Sequence, residues 1–488
     1  MQNPRYDVST PPPGSWRPAR KFALRVVGPI ERFVHVEASS GIVLVVAAII
    51  AMAWANSPFG ESYDELWHTP FTIGLGEWVF ERSLHFWIND FLMAVFFFVV
   101  GLEIKRELVE GALSDLKRAA LPVAAALGGM ILPATIFLAF NWGGPGVRGW
   151  GVPMATDIAF AVGVLTLLGS RVPAGLRILL LAVAIIDDIG AILVIAFFYS
   201  SGIQPEAFVI VGTGFLGILT LNWIGIRPGL LWTIPPLILW AGIYQLGVHP
   251  TIAGVIVGLM TPVRSWFGRD RFLEVARAAL DDFQHRANSD DYGDDDLVEP
   301  LNMLAQARRE ALSPAKRLEN VLHPWVAFLI MPVFALANAG VNLAGINFGD
   351  VGAVAVLSGV VIGLFAGKTL GIFGFSWLAV RVGLGILPQG VTWRGLVVVG
   401  ATGGIGFTMA IFIAELAYSG AQLLVVAKLG VIIATILAGV AALLGGLVLL
   451  PKRSAETIRA ITDSQFESSP EFWTTGPGVE AEASAAGE

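Results

Sequence analysis

The sequence predicts an all-α polytopic membrane protein of about twelve transmembrane helices, two of them discontinuous. Three observations carry that expectation. Of the 488 residues, 55% are hydrophobic and only 14% charged, with a mean hydropathy of +0.71, whereas soluble domains carry roughly a quarter charged residues. Apolar runs able to cross about 30 Å of hydrocarbon recur along the whole chain. Finally, the basic residues sort by side, as the positive-inside rule requires. With a cytoplasmic N-terminus, only Arg82 and Arg148 of the 31 Lys and Arg fall outside, and Lys368 and Lys428 fall within spans.

Residues 1–25 are rich in Pro and Arg and read as a disordered cytoplasmic arm. The first apolar run, Ile42 to Ala55, has a signal-like composition, but six Lys/Arg within a long leader make it a retained span. The expected spans are about 38–56, 87–107, 118–140, 150–169, 175–199, 205–223, 229–246, 249–262, 322–342, 353–380, 394–418 and 421–450. Together they form a transmembrane domain over 26–452. A cytoplasmic insert, 263–310, carries Phe272, Val275, Ala276, Ala279, Leu280 and Phe283 on one helical face. Asp290–Asp291 and Asp294–Asp296 then read as a solvated linker between two short surface helices, since their spacing does not fit an EF-hand. The 453–488 tail reads as acidic, mobile and cytoplasmic. With no cysteine, disulfides and thiolate metal sites are excluded, and no basic patch with interleaved aromatics suggests nucleic acid.

The chemistry concentrates at half depth. Asp187 and Asp188 adjoin within the apolar run from Ile178 to Phe198, where one ionised carboxylate costs about 2.5–3.5 kcal/mol to insert. Neighbouring helical residues project about 100° apart, so one faces a cavity while the other faces a helix. Lys368 is the available basic partner, and Gly367 and Gly371 beside it allow close helix approach. Span four, with Pro153 and Gly163, and span eleven, Gly400-Ala-Thr-Gly-Gly-Ile-Gly, are expected to be interrupted. Asp157 then offsets the positive ends of half-helices. Carboxylates, the Thr156 hydroxyl and backbone carbonyls suit a hard cation. A carboxylate that must shed its proton before binding sodium makes an exchanger by competition. A second cluster, Glu103, Arg106 and Glu107 with Glu319, His249 and His323, reads on spacing alone as surface ion pairs. Asp90 and Glu415 read as interfacial.

Several ordered strings resemble the NhaA-type sodium/proton antiporters of bacteria: Gly101-Leu-Glu-Ile-Lys-Arg-Glu-Leu, Ala155-Thr-Asp-Ile-Ala-Phe, Ala184-Ile-Ile-Asp-Asp-Ile-Gly, Val248-His-Pro-Thr-Ile-Ala-Gly, Val321-Leu-His-Pro-Trp, Gly367-Lys-Thr-Leu-Gly and Gly404-Ile-Gly-Phe-Thr-Met. The resemblance covers roughly 25–452, apart from the insert. It implies inverted repeats, known for this family, that pair spans 3–5 with 10–12, and broken spans 4 and 11 crossing at the midplane. It implies cation and proton binding at Asp187 and Asp188 with Thr156 nearby, charge compensation by Asp157 and Lys368, and pH sensing by Glu103, Arg106, Glu107, His249, Glu319 and His323. Two protons imported per sodium exported, lithium as a further substrate, activation at alkaline pH and no cofactor are also implied. So are a multi-pass place in the inner membrane with both termini cytoplasmic, and a homodimer paired through a hairpin within 57–84. A sodium-coupled symporter for an organic solute is the rival. It would need a roomier cavity and one acidic ligand rather than an adjacent pair. Intramembrane aspartyl proteases would need their two aspartates on different helices.

Overall fold

The computed structural model describes residues 37–451 except 77, 201, 226–229, 290–292 and 389. The expected N-terminal arm, the acidic tail and Asp290–Asp291 therefore lie outside the described residues. Within them the chain is almost wholly helical. Helix α1 (Glu37–Ala55) turns by 113° into a short α2 (Gly60–His68). A hairpin of β1 (Pro70–Leu75) and β2 (Trp78–Ser83) follows, antiparallel, with Pro70 opposite Ser83. It lies within the 57–84 segment. Gly76, at φ +64°, takes the left-handed turn position that side-chain-bearing residues avoid.

Two long helices come next, α3 (Leu84–Val109) and α4 (Leu116–Asn141). Asp115 caps α4 by accepting from the Lys117 N–H at 2.9 Å. A 3₁₀ segment, Val147–Met154, then leads to α5 (Ile158–Leu167), with a 40° bend between the two. Helices α6 (Ala174–Phe198), α7 (Phe208–Ile224), α8 (Ile234–Leu246) and α9 (Thr251–Met260) come after it. At 1.5 Å per residue, α8 and α9 are each too short to cross hydrocarbon unaided.

The insert folds into two helices, α10 (Gly268–Ala287) and α11 (Val298–Ala311), packed on each other. Five of the six expected apolar residues of α10 are covered. Ala279 is buried, Phe272, Val275, Ala276 and Phe283 are partly buried, and Leu280, at the edge of this stripe, is 49% exposed. The last spans are α12 (Pro314–Asn338), α13 (Ala353–Arg381), the bent pair α14 (Trp393–Gly403) and α15 (Phe407–Ala417), and α16 (Ala421–Leu449). Seven of the described helices are long and apolar enough to cross a membrane, and counting each bent pair as one span gives up to ten.

Packing is closest where glycines meet. A Cβ on Gly371 of α13 would lie 2.1 Å from the Gly128 carbonyl oxygen of α4, and one on Gly367 would lie 3.0 Å from Pro133 Cα. Backbones therefore touch there, as small residues permit in apolar surroundings. Gly163, expected to disturb span four, instead sits inside regular α5, with space for a Cβ 3.7 Å from Gly41 Cα. The interruption lies at Ala155–Asp157, where extended backbone separates the two halves. Three spans also contain a π-turn: Trp87–Leu92 in α3, Val326–Ile330 in α12 and Gly363–Gly367 in α13. Such turns insert an extra residue and re-aim the side chains beyond them. Lys368 is the first residue after the third of them.

Candidate functional site

Asp187 and Asp188 lie in the middle of α6 and are each 1% exposed. Their neighbours differ, as the 100° step between them requires. Lys368 Nζ donates to Asp187 Oδ2 at 2.5 Å, with both side chains fully buried. The same ammonium donates to the Thr156 hydroxyl. Thr156 Oγ1 in turn lies 2.8 Å from Asp187 Oδ2 and 3.0 Å from the Gly403 carbonyl, and its one proton serves either acceptor. The break in span four, the break in span eleven, α6 and α13 thus meet at one threonine.

Asp157 holds the two half-helices from the other side. It caps α5 by accepting from Phe160 N–H at 3.1 Å. Its Oδ2 accepts from Thr408 N–H at 3.2 Å and from the Thr408 hydroxyl, at the start of α15. One carboxylate therefore faces the positive N-terminal ends of both half-helices, and opposite charge there is favourable. The Asp157 N–H donates to the Ile405 carbonyl at 2.8 Å, so the two interruptions are bonded directly to each other. Thr408 was not legible as a site residue, since a threonine in an apolar helix commonly bonds its own backbone. The carbonyls of Gly403 and Ile405 leave no mark in a sequence.

Asp188 remains open. Among the described residues neither of its oxygens has a hydrogen-bond partner, and Asp187 Oδ1 has none either. An ionised carboxylate without partners at this depth is costly, so these three oxygens require a proton or a cation. The N-terminal half of α6 also borders a cavity of about 550 Å³, whose lining includes Glu103, Ile158, Arg177, Leu181, His323 and Phe328.

The expected regulatory residues divide between two places. Arg106 lies 3.0 Å from Glu319, 3.2 Å from Glu107 and 3.9 Å from Glu103, and Lys316 lies 3.3 Å from Glu319. His323 joins Glu103 along the cavity. His249 does not belong to this group. Its Nε2 lies 3.5 Å from Asp90 Oδ1, and Asp90 is roughly 24 Å along α3 from Arg106 at helical rise. Asp90, read from the sequence as interfacial, is largely enclosed, with its side chain 18% exposed. Glu415, read the same way, is 14% exposed and bonded at 2.5 Å to Lys428.

The family described as Na+/H+ antiporter 1 matches residues 31–447. The chain belongs to this family. A Na(+)/H(+) antiporter NhaA 2 of Sorangium cellulosum is 56% identical over 469 residues, covering 96% of this chain and 99% of its own length. An antiporter of the same name from Myxococcus xanthus is 52% identical over 89% of this chain and 92% of its own. A Na(+)/H(+) antiporter NhaA of Cupriavidus necator is 50% identical over 91% and 94%. Members of the Na+/H+ antiporter 1 family are secondary transporters, and this multi-pass membrane chain is one rather than an enzyme.

Proposed function

We propose that this chain exports sodium in exchange for protons, with both competing for Asp187 and Asp188 by alternating access. The single observation that carries this reading is the Asp188 carboxylate, buried and without hydrogen-bond partners among the described residues, beside an Asp187 held by Lys368 at 2.5 Å. A dehydrated sodium ion needs oxygen ligands, and Asp188, Asp187 Oδ1 and the Thr156 hydroxyl offer them without any soft ligand. Sodium and protons neutralise the same oxygens, so each expels the other. Sodium that draws Asp187 away from Lys368 leaves a buried ammonium without its partner, which is relieved when Lys368 sheds a proton. That accounts for two protons per sodium: one from Asp188 and one from Lys368.

The same reading has twelve spans, with the short α8 and α9 completing the count and spans four and eleven crossing at half depth. Asp157 compensates the crossing, and its three hydrogen bonds to the half-helix ends support that role. Both termini face the cytoplasm of a bacterial inner membrane. Glu103, Arg106, Glu107, Glu319 and His323 around the cytoplasmic cavity, together with His249 at the far end of α3, confer activation at alkaline pH. Lithium is accepted with sodium, and two copies pair through the β1–β2 hairpin.

Sodium-induced collapse of an imposed pH gradient in proteoliposomes, followed from about pH 6.5 to about 8.5, tests the reading. Exchange should rise toward the alkaline end, and Asp188→Asn should abolish it while leaving the protein folded. Full sodium/proton exchange by Asp188→Asn would overturn the assignment.

A further inference from the structure

A second set of buried polar groups lies at the end of the bundle opposite Arg106 and takes no part in the site above. Asn89, in the π-turn of α3, faces Asn338, the last residue of α12. Asn338 Nδ2 donates to Asn89 Oδ1 at 2.8 Å, and Asn89 Nδ2 donates to Asn338 Oδ1 at 3.2 Å. Both side chains are buried, so this reciprocal amide clamp joins the two spans away from water. His85, one turn before Asn89, has Nε2 3.1 Å from Asn338 Oδ1 and 3.9 Å from Glu415 Oε1. Glu415 belongs to α15 and makes its 2.5 Å ion pair with Lys428 of α16. Four helices are therefore tied through five side chains.

Helix α15 connects this cluster to the candidate ion site. Thr408, Phe412 and Glu415 stand at i, i+4 and i+7 and so share one face. Thr408 is bonded to Asp157. Phe412 is fully buried, with ring centroids 5.7 Å from Phe97 and 6.0 Å from Phe334. One rigid half-helix thus carries a contact to the ion site, an aromatic plug and an anchor of the outer cluster. The cavity along the N-terminal half of α6 is lined by Glu103 and His323, toward the other end.

We propose that the Asn89–Asn338 clamp, with His85 and the Glu415–Lys428 pair, is the outer latch of the transport path, and that a proton on His85 tightens it. The latch rests on the antiport reading and on its orientation, which puts this end outside the cell. It is shut here, as alternating access requires when the inner cavity is open. His85 is suited to sense the outside because its side chain is 32% exposed, whereas Glu415 and Lys428 are mostly enclosed. A neutral ring protonated only at Nδ1 would set its Nε2 lone pair against Asn338 Oδ1. Asn89 Nδ2 of the same helix also lies 3.1 Å from Nε2, so the imidazolium gives up a bond accepted within α3 and donates instead across to Asn338 of α12. Its charge is drawn to Glu415 and opposed by Lys428 from α16. The ring of His68 from α2 lies parallel at 6.5 Å, and Tyr63 of α2 faces Glu415. Outer acidity should therefore hold the path shut and slow exchange.

The test uses the full-length protein in membrane vesicles of known orientation, with the cytoplasmic face held at fixed alkaline pH. The extracellular face is stepped from about pH 8.5 to about pH 6, through the histidine range. Wild type and His85→Gln should exchange sodium equally at the alkaline end. Toward the acid end the wild type should fall about fivefold further than the variant, the lower range of measured site-to-site couplings. Parallel profiles for the two proteins overturn the latch, and so does a His85 effect that tracks the cytoplasmic pH instead. A wild type without sodium-dependent exchange at any pH overturns the antiport reading itself. The chain has no cysteine, so Asn89→Cys with Asn338→Cys gives a sole thiol pair. Oxidation should stop exchange and reduction should restore it. Undiminished exchange by cross-linked protein, or thiols that never cross-link, also overturns the latch.

Discussion

Replacing Lys368 by methionine removes one half of a fully buried ion pair and leaves most of the packing volume in place. The pair is formed at 2.5 Å with both side chains at 0% exposure, so solvent cannot screen the aspartate left behind. Breaking such a pair costs about 3–5 kcal/mol, because the surviving charge stays desolvated. Thr156 also loses the ammonium it accepts from, adding about 0.5–1.5 kcal/mol. The double variant Lys368→Met with Asp187→Asn removes both charges and should recover most of the loss, since residues in direct contact are non-additive. The assay is a melting curve in detergent for wild type, both single variants and the double, with sodium/proton exchange recorded on the same preparations. The single Lys368→Met should melt lowest and the double well above it. Equal melting temperatures for Lys368→Met and the double would refute the reasoning, because the lysine would then not be offsetting Asp187.

A Cβ on Gly371 would stand 2.1 Å from the Gly128 carbonyl oxygen, so Gly371→Ala should destabilise by about 1–3 kcal/mol, read as a lower melting temperature and poorer yield. Gly374 on the same helix has no heavy atom within 4 Å of its Cβ position, so Gly374→Ala should gain up to about 1 kcal/mol. A drop at Gly374 as large as that at Gly371 would remove close backbone contact as the cause. The proposed ratio of two protons per sodium would carry one net charge inward, so about 100 mV would supply about 2.3 kcal/mol, enough for a roughly fifty-fold sodium gradient without any pH gradient. Sodium flux in proteoliposomes clamped with potassium and valinomycin should respond accordingly, and a voltage-independent rate would rule out that stoichiometry.

The charged half of the site was legible because charge is conspicuous in apolar runs. Asp187, Asp188, Asp157 and Lys368 each stand out against their surroundings, and the structure brings Lys368 to Asp187 and Asp157 to the half-helix ends. The rest was hidden for reasons that differ by residue. Thr408 bonds Asp157 across two breaks, a pairing visible only once both chain segments are placed. The π-turn that re-aims Lys368 spans Gly363–Gly367 and has no residue signature of its own. The expected spans put His249 and Arg106 at opposite faces of the membrane, but they do not say which side chains meet at each end. The neighbour of His249, Asp90, fixes it at the start of α3. Asn89 and Asn338 are separated by 249 residues and carry no charge, so nothing in the sequence marks them as partners.

On the proposed antiport reading, the placement of Lys368 also decides which half of the cycle feels the membrane voltage. With Asp157 set against the N-terminal ends of both half-helices, the remaining formal charges are those of Asp187, Asp188 and Lys368. Loaded with protons on Asp188 and Lys368, these three sum to zero. Loaded with sodium, with both aspartates ionised and Lys368 neutral, they and the ion sum to one negative charge. A negative cell interior therefore favours outward exposure of the sodium-loaded site and is indifferent to the proton-loaded return. Sodium beside a lysine that kept its proton would leave the site neutral in both directions. Exchange would then be one proton per sodium and blind to voltage. The proposed coupling ratio thus hinges on one event, the loss of the Lys368 proton once sodium has taken Asp187 from it. Burial makes that event favourable, because an ammonium at 0% exposure keeps its charge only while a partner lies within bonding distance. No wire between separate proton and sodium sites is needed: a single 2.5 Å contact, made or broken, links the two.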